Sequence, residues 1–152
     1  MSAGASDDRG SGSDRGSATV EFVLVGLLLL VPLTYVVLGA LSVQRHAYAV
    51  VAAARSGARA YVSAPSGAAA RARAQRAVAL ALADQGVPPA SALVDIRCSR
   101  MPCLEPGATV RVQVSTTVVA GWVPSFLGGP ALRVPVSSVH VETVDPFEPA
   151  RP

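Results

Sequence analysis

The chain has 152 residues, 51% of them hydrophobic but only 5% aromatic, with a mean hydropathy of +0.43. That length holds one modest domain plus an anchor, and apolar content made mostly of Ala, Val and Leu is unusual for a soluble enzyme. The 13 basic residues are all Arg and Asn is absent, as a GC-rich bacterial coding bias produces; the net charge of +3 comes without a block of like charges or interleaved aromatics, which argues against a nucleic-acid-binding class.

Residues 1–16 read as a polar leader rich in Gly, Ser and Asp, too poor in apolar residues to order itself. It ends in Arg15-Gly16-Ser17-Ala18-Thr19-Val20-Glu21-Phe22, where a Gly is followed at the fifth position by a Glu that opens an apolar run. From Phe22 through Gln44 there is no charged residue, a stretch of about 23 positions that extends roughly 34 Å as a helix and matches the hydrocarbon thickness of a bilayer. Residues 17–44 are therefore expected to form a transmembrane helix. The run is too long for the apolar core of a cleaved signal peptide, and the A-x-A match at Ala47-Tyr48-Ala49 falls beyond it, inside continuing helix. Pro32 at mid-span is tolerable as a kink in a membrane helix, where it would break a soluble one. The flanks do not set orientation, because Arg45, Arg55 and Arg59 follow the span while Asp7, Asp8 and Asp14 offset Arg9 and Arg15 before it.

Residues 45–62 continue the helix as an amphipathic stem. Val43, Ala47, Val50, Ala54, Gly57 or Ala58, and Tyr61 recur at steps of three and four, with Gln44, Arg45, Tyr48, Arg55, Ser56 and Arg59 opposite. The small residues on the apolar face allow close backbone approach, and a domain this small needs that helix to cover its own sheet. Residues 63–145 form the expected extracytoplasmic α+β domain. A turn at Ser63 through Gly67 leads to an Ala/Arg-rich helix from about Ala68 to Gln85, with Ser66 as its cap and Gly86, Pro88 and Pro89 ending it. From Leu93 the period becomes two. Strands are expected at Leu93 to Cys98, at Thr109 to Val119 with Val110, Val112, Val114 and Val118 inward, and at about Leu132 to Val144. In the last, Val134 and Val136 give way to Val139 and Val141, a change of phase that predicts a bulge near Ser137 or Ser138; Pro135 predicts an edge position.

Between the long strands, Gly121 through Pro130 holds Trp122, Phe126 and Leu127 in a Gly/Pro-rich loop, read either as a partner contact or as a flap over the sheet end. Residues 146–152 form a Pro-rich tail. Cys98 and Cys103, the only cysteines, are expected to form a structural disulfide in an oxidising compartment, since neither C-x-x-C spacing nor further metal ligands accompany them. His46 and His140 lie far apart with no ligand spacing, and Asp84, Asp95, Glu105 and Glu142 show no catalytic grouping. No cofactor, metal, nucleic acid or small-molecule substrate is expected, and no enzymatic activity.

From near residue 15 to near residue 145 this pattern resembles the TadE-like pseudopilins, a family of the type IV pilin superfamily that serves Flp/Tad pilus assembly. The resemblance implies cleavage by a prepilin peptidase after Gly16, a mature terminus at Ser17, and Glu21 as the acidic fifth residue; Phe22 departs from the Glu-Tyr of Flp prepilins. It implies a pilin-like fold, with a long amino-terminal helix, a second short helix and a small antiparallel sheet of about three strands. The implied location is the bacterial cytoplasmic membrane, single-pass with a cytoplasmic amino terminus, and the implied partners are the peptidase and other Tad proteins or pilin subunits. The alternative reading is an uncleaved, signal-anchored scaffold or binding module of the cell envelope.

Overall fold

The structure, a computed structural model, describes residues 14–120, 132–147 and 149. Trp122, Phe126 and Leu127 lie outside the described residues, as does most of the leader. Helix α1 (Asp14–Val62) is followed by α2 (Gly67–Asp84), a 3-10 turn at Pro89–Ser91, and strands β1 (Ala92–Cys98), β2 (Thr109–Ala120) and β3 (Leu132–Thr143). The strands make one antiparallel sheet in the order β1-β2-β3. This is the α+β arrangement that the change of period along the sequence implies. Two units divide the chain, Met1–Val37 and Leu38–Pro152.

In the second unit, period-two alternation in β2 sends Val110, Val112, Val114 and Val118 into the core, each 2% exposed or less. Thr116 takes the remaining inward slot because its hydroxyl donates to the Ser91 carbonyl at 3.2 Å, so no polar atom is stranded. The small-residue face of α1 covers this surface: Ala49, Ala53, Ala54 and Ala58 are fully buried, whereas Arg45, Tyr48, Arg55 and Arg59 on the opposite side are exposed. The face thus packs within the chain. At Gly57 the approach is closest, since a Cβ there would stand 2.6 Å from Val78 Cγ2 on α2 and 3.5 Å from Val112 Cγ1 on β2.

Helix α2 begins where Ser66, in an extended conformation, accepts the Ala69 amide on its Oγ at 3.4 Å. It ends in a Schellman arrangement: Val87 N–H donates to Leu82 O, Gly86 N–H donates to Ala83 O, and Gly86 has φ +69°. Leu82 and Val87 are both buried, so the chain reversal also closes the core at this end.

Strand β3 departs from the sequence reading. Its pairing with β2 runs unbroken from Thr109 opposite Thr143 to Ala120 opposite Leu132, with no bulge at Ser137 or Ser138. The half-buried face of β3 continues as Val134, Val136, Ser138, His140 and Glu142, while Val139 and Val141 point to the open side. The change of phase in the sequence is therefore a change in what the edge strand presents, not a change of register. Pro135 does sit on an edge strand, as expected.

Replacing Gly57 with Val over-packs the junction of α1, α2 and β2 and is expected to destabilise the domain by about 1–3 kcal/mol. Gly67→Ala, where a Cβ meets nothing within 4 Å, is the neutral control. Denaturant unfolding of the two variants beside the wild type measures the difference.

Candidate functional site

Two features of the chain stand apart from its core. The first is the amino-terminal half of α1. From Ala18 to Leu38 every residue is exposed, including Phe22 at 78%, Leu28 at 70% and Leu29 at 67%. A helix with large apolar side chains on all sides has no single face to bury in water; it belongs in a wide apolar environment. By length and composition α1 can cross a membrane, and the windows that qualify are not buried within the protein.

Within this part of α1 the Thr34 hydroxyl donates to the Leu30 carbonyl of its own helix at 2.8 Å. Such back-bonding satisfies side chains where no water is at hand. Pro32 lies inside the helix and leaves the Leu28 carbonyl without its usual donor. Glu21 and Phe22 sit on exposed positions near the start of the apolar run. Gly16 and Ser17 lie in the first turn of α1, so the backbone around the expected processing site is helical.

The second feature is the bridge between Cys98 and Cys103, whose Cα atoms are 5.4 Å apart. It joins the end of β1 to the turn that leads toward β2, as the isolated cysteine pair suggests. Tyr61, 4% exposed near the end of α1, places its hydroxyl 3.8 Å from Cys98 Sγ. The disulfide therefore lies against the helix that covers the sheet end.

An ion pair and a histidine–carboxylate hydrogen bond escaped the sequence reading. Arg97 Nε lies 2.7 Å from Asp95 Oδ2 on the open face of β1, and His140 Nε2 lies 2.9 Å from Glu142 Oε2 on β3. Both are i, i+2 pairs, which a strand places on one face, so the signal was present in the spacing. All four side chains are at least 32% exposed, a setting in which such pairs contribute little to stability. Among the described residues no group of three or more His, Cys, Asp or Glu side chains is placed to hold a metal ion. Comparison with known proteins adds no relative: no protein-family model, no curated protein and no solved structure matches the chain.

Opening the disulfide with the pair Cys98→Ala and Cys103→Ala frees a short loop and is expected to cost about 2 kcal/mol. Urea unfolding of the non-reduced wild type and the double variant should show this as a lower midpoint with an unchanged slope.

Proposed function

We propose that the chain is a non-catalytic, membrane-anchored pseudopilin of the TadE-like kind, acting in the assembly of Flp/Tad-type adhesive pili. The observation that carries the reading is the combination within α1: an apolar segment with every side chain exposed, opening at Glu21, five positions after Gly16. A carboxylate in the first turn of the mature helix faces the positive end of the helix dipole and a nearby terminal ammonium. Away from such partners an ionised acid at the bilayer centre costs about 2.5–3.5 kcal/mol, less toward the interface, so pairing with a neighbouring subunit's terminus favours ordered assembly. The disulfide fits a domain on the oxidising side of the cytoplasmic membrane, with the amino terminus in the cytoplasm. Prepilin peptidase and other Tad pilus proteins are the partners on this reading; Trp122, Phe126 and Leu127 are a further contact to test.

One observation favours the alternative of an uncleaved, signal-anchored envelope scaffold. Helix α1 already begins at Asp14 and passes through Gly16 and Ser17 without a break, whereas a peptidase must reach an extended backbone. The intact mass of the protein extracted from membranes separates the two. A chain that starts at Ser17, and that keeps its leader when Gly16 is changed to Val, supports the pseudopilin. A wild-type chain that keeps residues 1–16 in cells with an active prepilin peptidase sinks it and leaves the scaffold.

A further inference from the structure

The sheet has two edges, and only one of them carries a proline. Strand β3 has Pro135, whereas β1 (Ala92–Cys98) contains none. Ser99 N–H donates to Thr109 O at 2.9 Å, in register with the pairing of β1 and β2. Alternation therefore turns the backbone groups of Leu93, Asp95 and Arg97 toward β2, and those of Val94 and Ile96 toward the open edge. Among the described residues, the N–H and C=O groups of Val94 and Ile96 meet no backbone partner. Donors and acceptors stand there in a row that another extended backbone matches.

The side chains flanking that row define what the incoming backbone must carry. Val94 and Ile96 lie on the inner face, half-buried at the rim of the core, where aliphatic side chains of an added strand would cover them. Asp95 and Arg97 lie on the open face, with side chains 53% and 76% exposed. Toward an antiparallel newcomer these two hold the non-hydrogen-bonded positions, where facing side chains come closest. An acid opposite Arg97 and a base opposite Asp95 are favoured there, and the reverse order sets like charges face to face. Along the newcomer the pattern reads acidic, aliphatic, basic, aliphatic. The β1 of a second copy comes near this pattern at Asp95-Ile96-Arg97-Cys98. It would pair about a two-fold axis normal to the sheet, however, and so reverse α1, a single unbroken helix. On the anchored reading, copies inserted the same way in one membrane do not meet so.

We infer that the free edge of β1 is a strand-addition site for an extended segment of another protein, antiparallel to β1 and carrying an acidic, an aliphatic and a basic residue in that order. The backbone row supplies the attraction, and the Asp95–Arg97 pair sets direction and register. Only the choice of another protein over a second copy rests on the proposed anchoring.

The test uses the full chain in detergent micelles, with its disulfide intact, and two synthetic peptides, Thr-Val-Glu-Val-Lys-Val-Thr and its charge-swapped form Thr-Val-Lys-Val-Glu-Val-Thr. Amide hydrogen exchange is followed residue by residue by NMR. The expected result is that the first peptide slows exchange at Val94 and Ile96 while leaving Leu93, Asp95 and Arg97, already bonded to β2, unchanged. The swapped peptide should bind about tenfold more weakly. In the double variant Asp95→Arg with Arg97→Asp, whose exposed side chains leave the core untouched, the preference should reverse. No protection at Val94 and Ile96 at millimolar peptide overturns the site. Equal binding of both peptides, or the opposite preference, overturns the antiparallel register. Amides of Val94 and Ile96 that exchange slowly before any peptide is added, in a particle of doubled protein mass, place a second copy on the edge and overturn the choice of partner. The exchange pattern is read whether or not α1 is anchored, so it stands or falls apart from the proposed function.

Discussion

The close approach of α1 to both α2 and β2 at Gly57 is the contact on which the folded unit depends. The sheet has only three strands and its inner face is built of valines, so the covering helix must come near enough for short side chains to touch. Alanines at 49, 53, 54 and 58 and a hydrogen at 57 make that possible. The same logic is repeated on α2, where Ala70 and Ala74 precede Val78 and Leu82 along the buried face. Such a core contains little apolar area per side chain, and each added methylene changes backbone distances rather than filling a gap. Its margins carry the larger groups: Tyr61 beside the disulfide at one place, Leu82 and Val87 under the Schellman turn at another. A small domain with a thin core gains most from such local closures.

The two halves of α1 are composed for different surroundings. Up to Leu38 its side chains are mostly Leu, Val and other large apolar groups exposed in every direction; from Ala49 to Ala58 the buried residues are Ala, Gly and one Val and lie on one side. A core helix of a soluble protein would also be long and apolar, but its side chains would be buried, and those of Ala18 through Leu38 are not. The exposed apolar surface must be covered by lipid or by like helices, and either environment is consistent with the pseudopilin reading. Past the apolar run, arginine returns to the helix where Leu and Val give way to Ala, so the change in side-chain size and the change in charge mark the same boundary.

Much of this was legible because it is periodic. The buried face of α1, the cap at Ser66, the stop at Gly86 and the inward valines of β2 all follow from spacing and turn chemistry, and the structure keeps them within one or two residues. Strand β3 was misread for a physical reason. Alternation assumes that a position is either buried or solvated, whereas the inner face of an edge strand is half-covered and accepts Ser138, His140 and Glu142 without penalty. Val139 and Val141 could then occupy the open side, and the sequence mimicked a slip of register that the unbroken ladder does not contain. The i, i+2 pairs of Asp95 with Arg97 and of His140 with Glu142 form along strand faces rather than in any catalytic grouping. The disulfide was readable from isolation and spacing, but its contact with Tyr61 joins residues 37 positions apart and no local pattern encodes it.

Pro135 shows how the sheet edge is managed. Val144 N–H donates to Ala108 O beyond the end of the ladder, so alternation directs the backbone groups of the even-numbered residues of β3 toward β2 and those of the odd-numbered ones outward. Pro135 is odd. It therefore costs the ladder nothing and removes an N–H from the row that an approaching strand would need. Arg133, exposed two residues earlier on the open face, adds a charge at the same edge. A long bare strand edge is a hazard, and a proline at an outward position suppresses it without weakening the fold. A strand approaching this stretch of edge would meet a break in the row of outward amides.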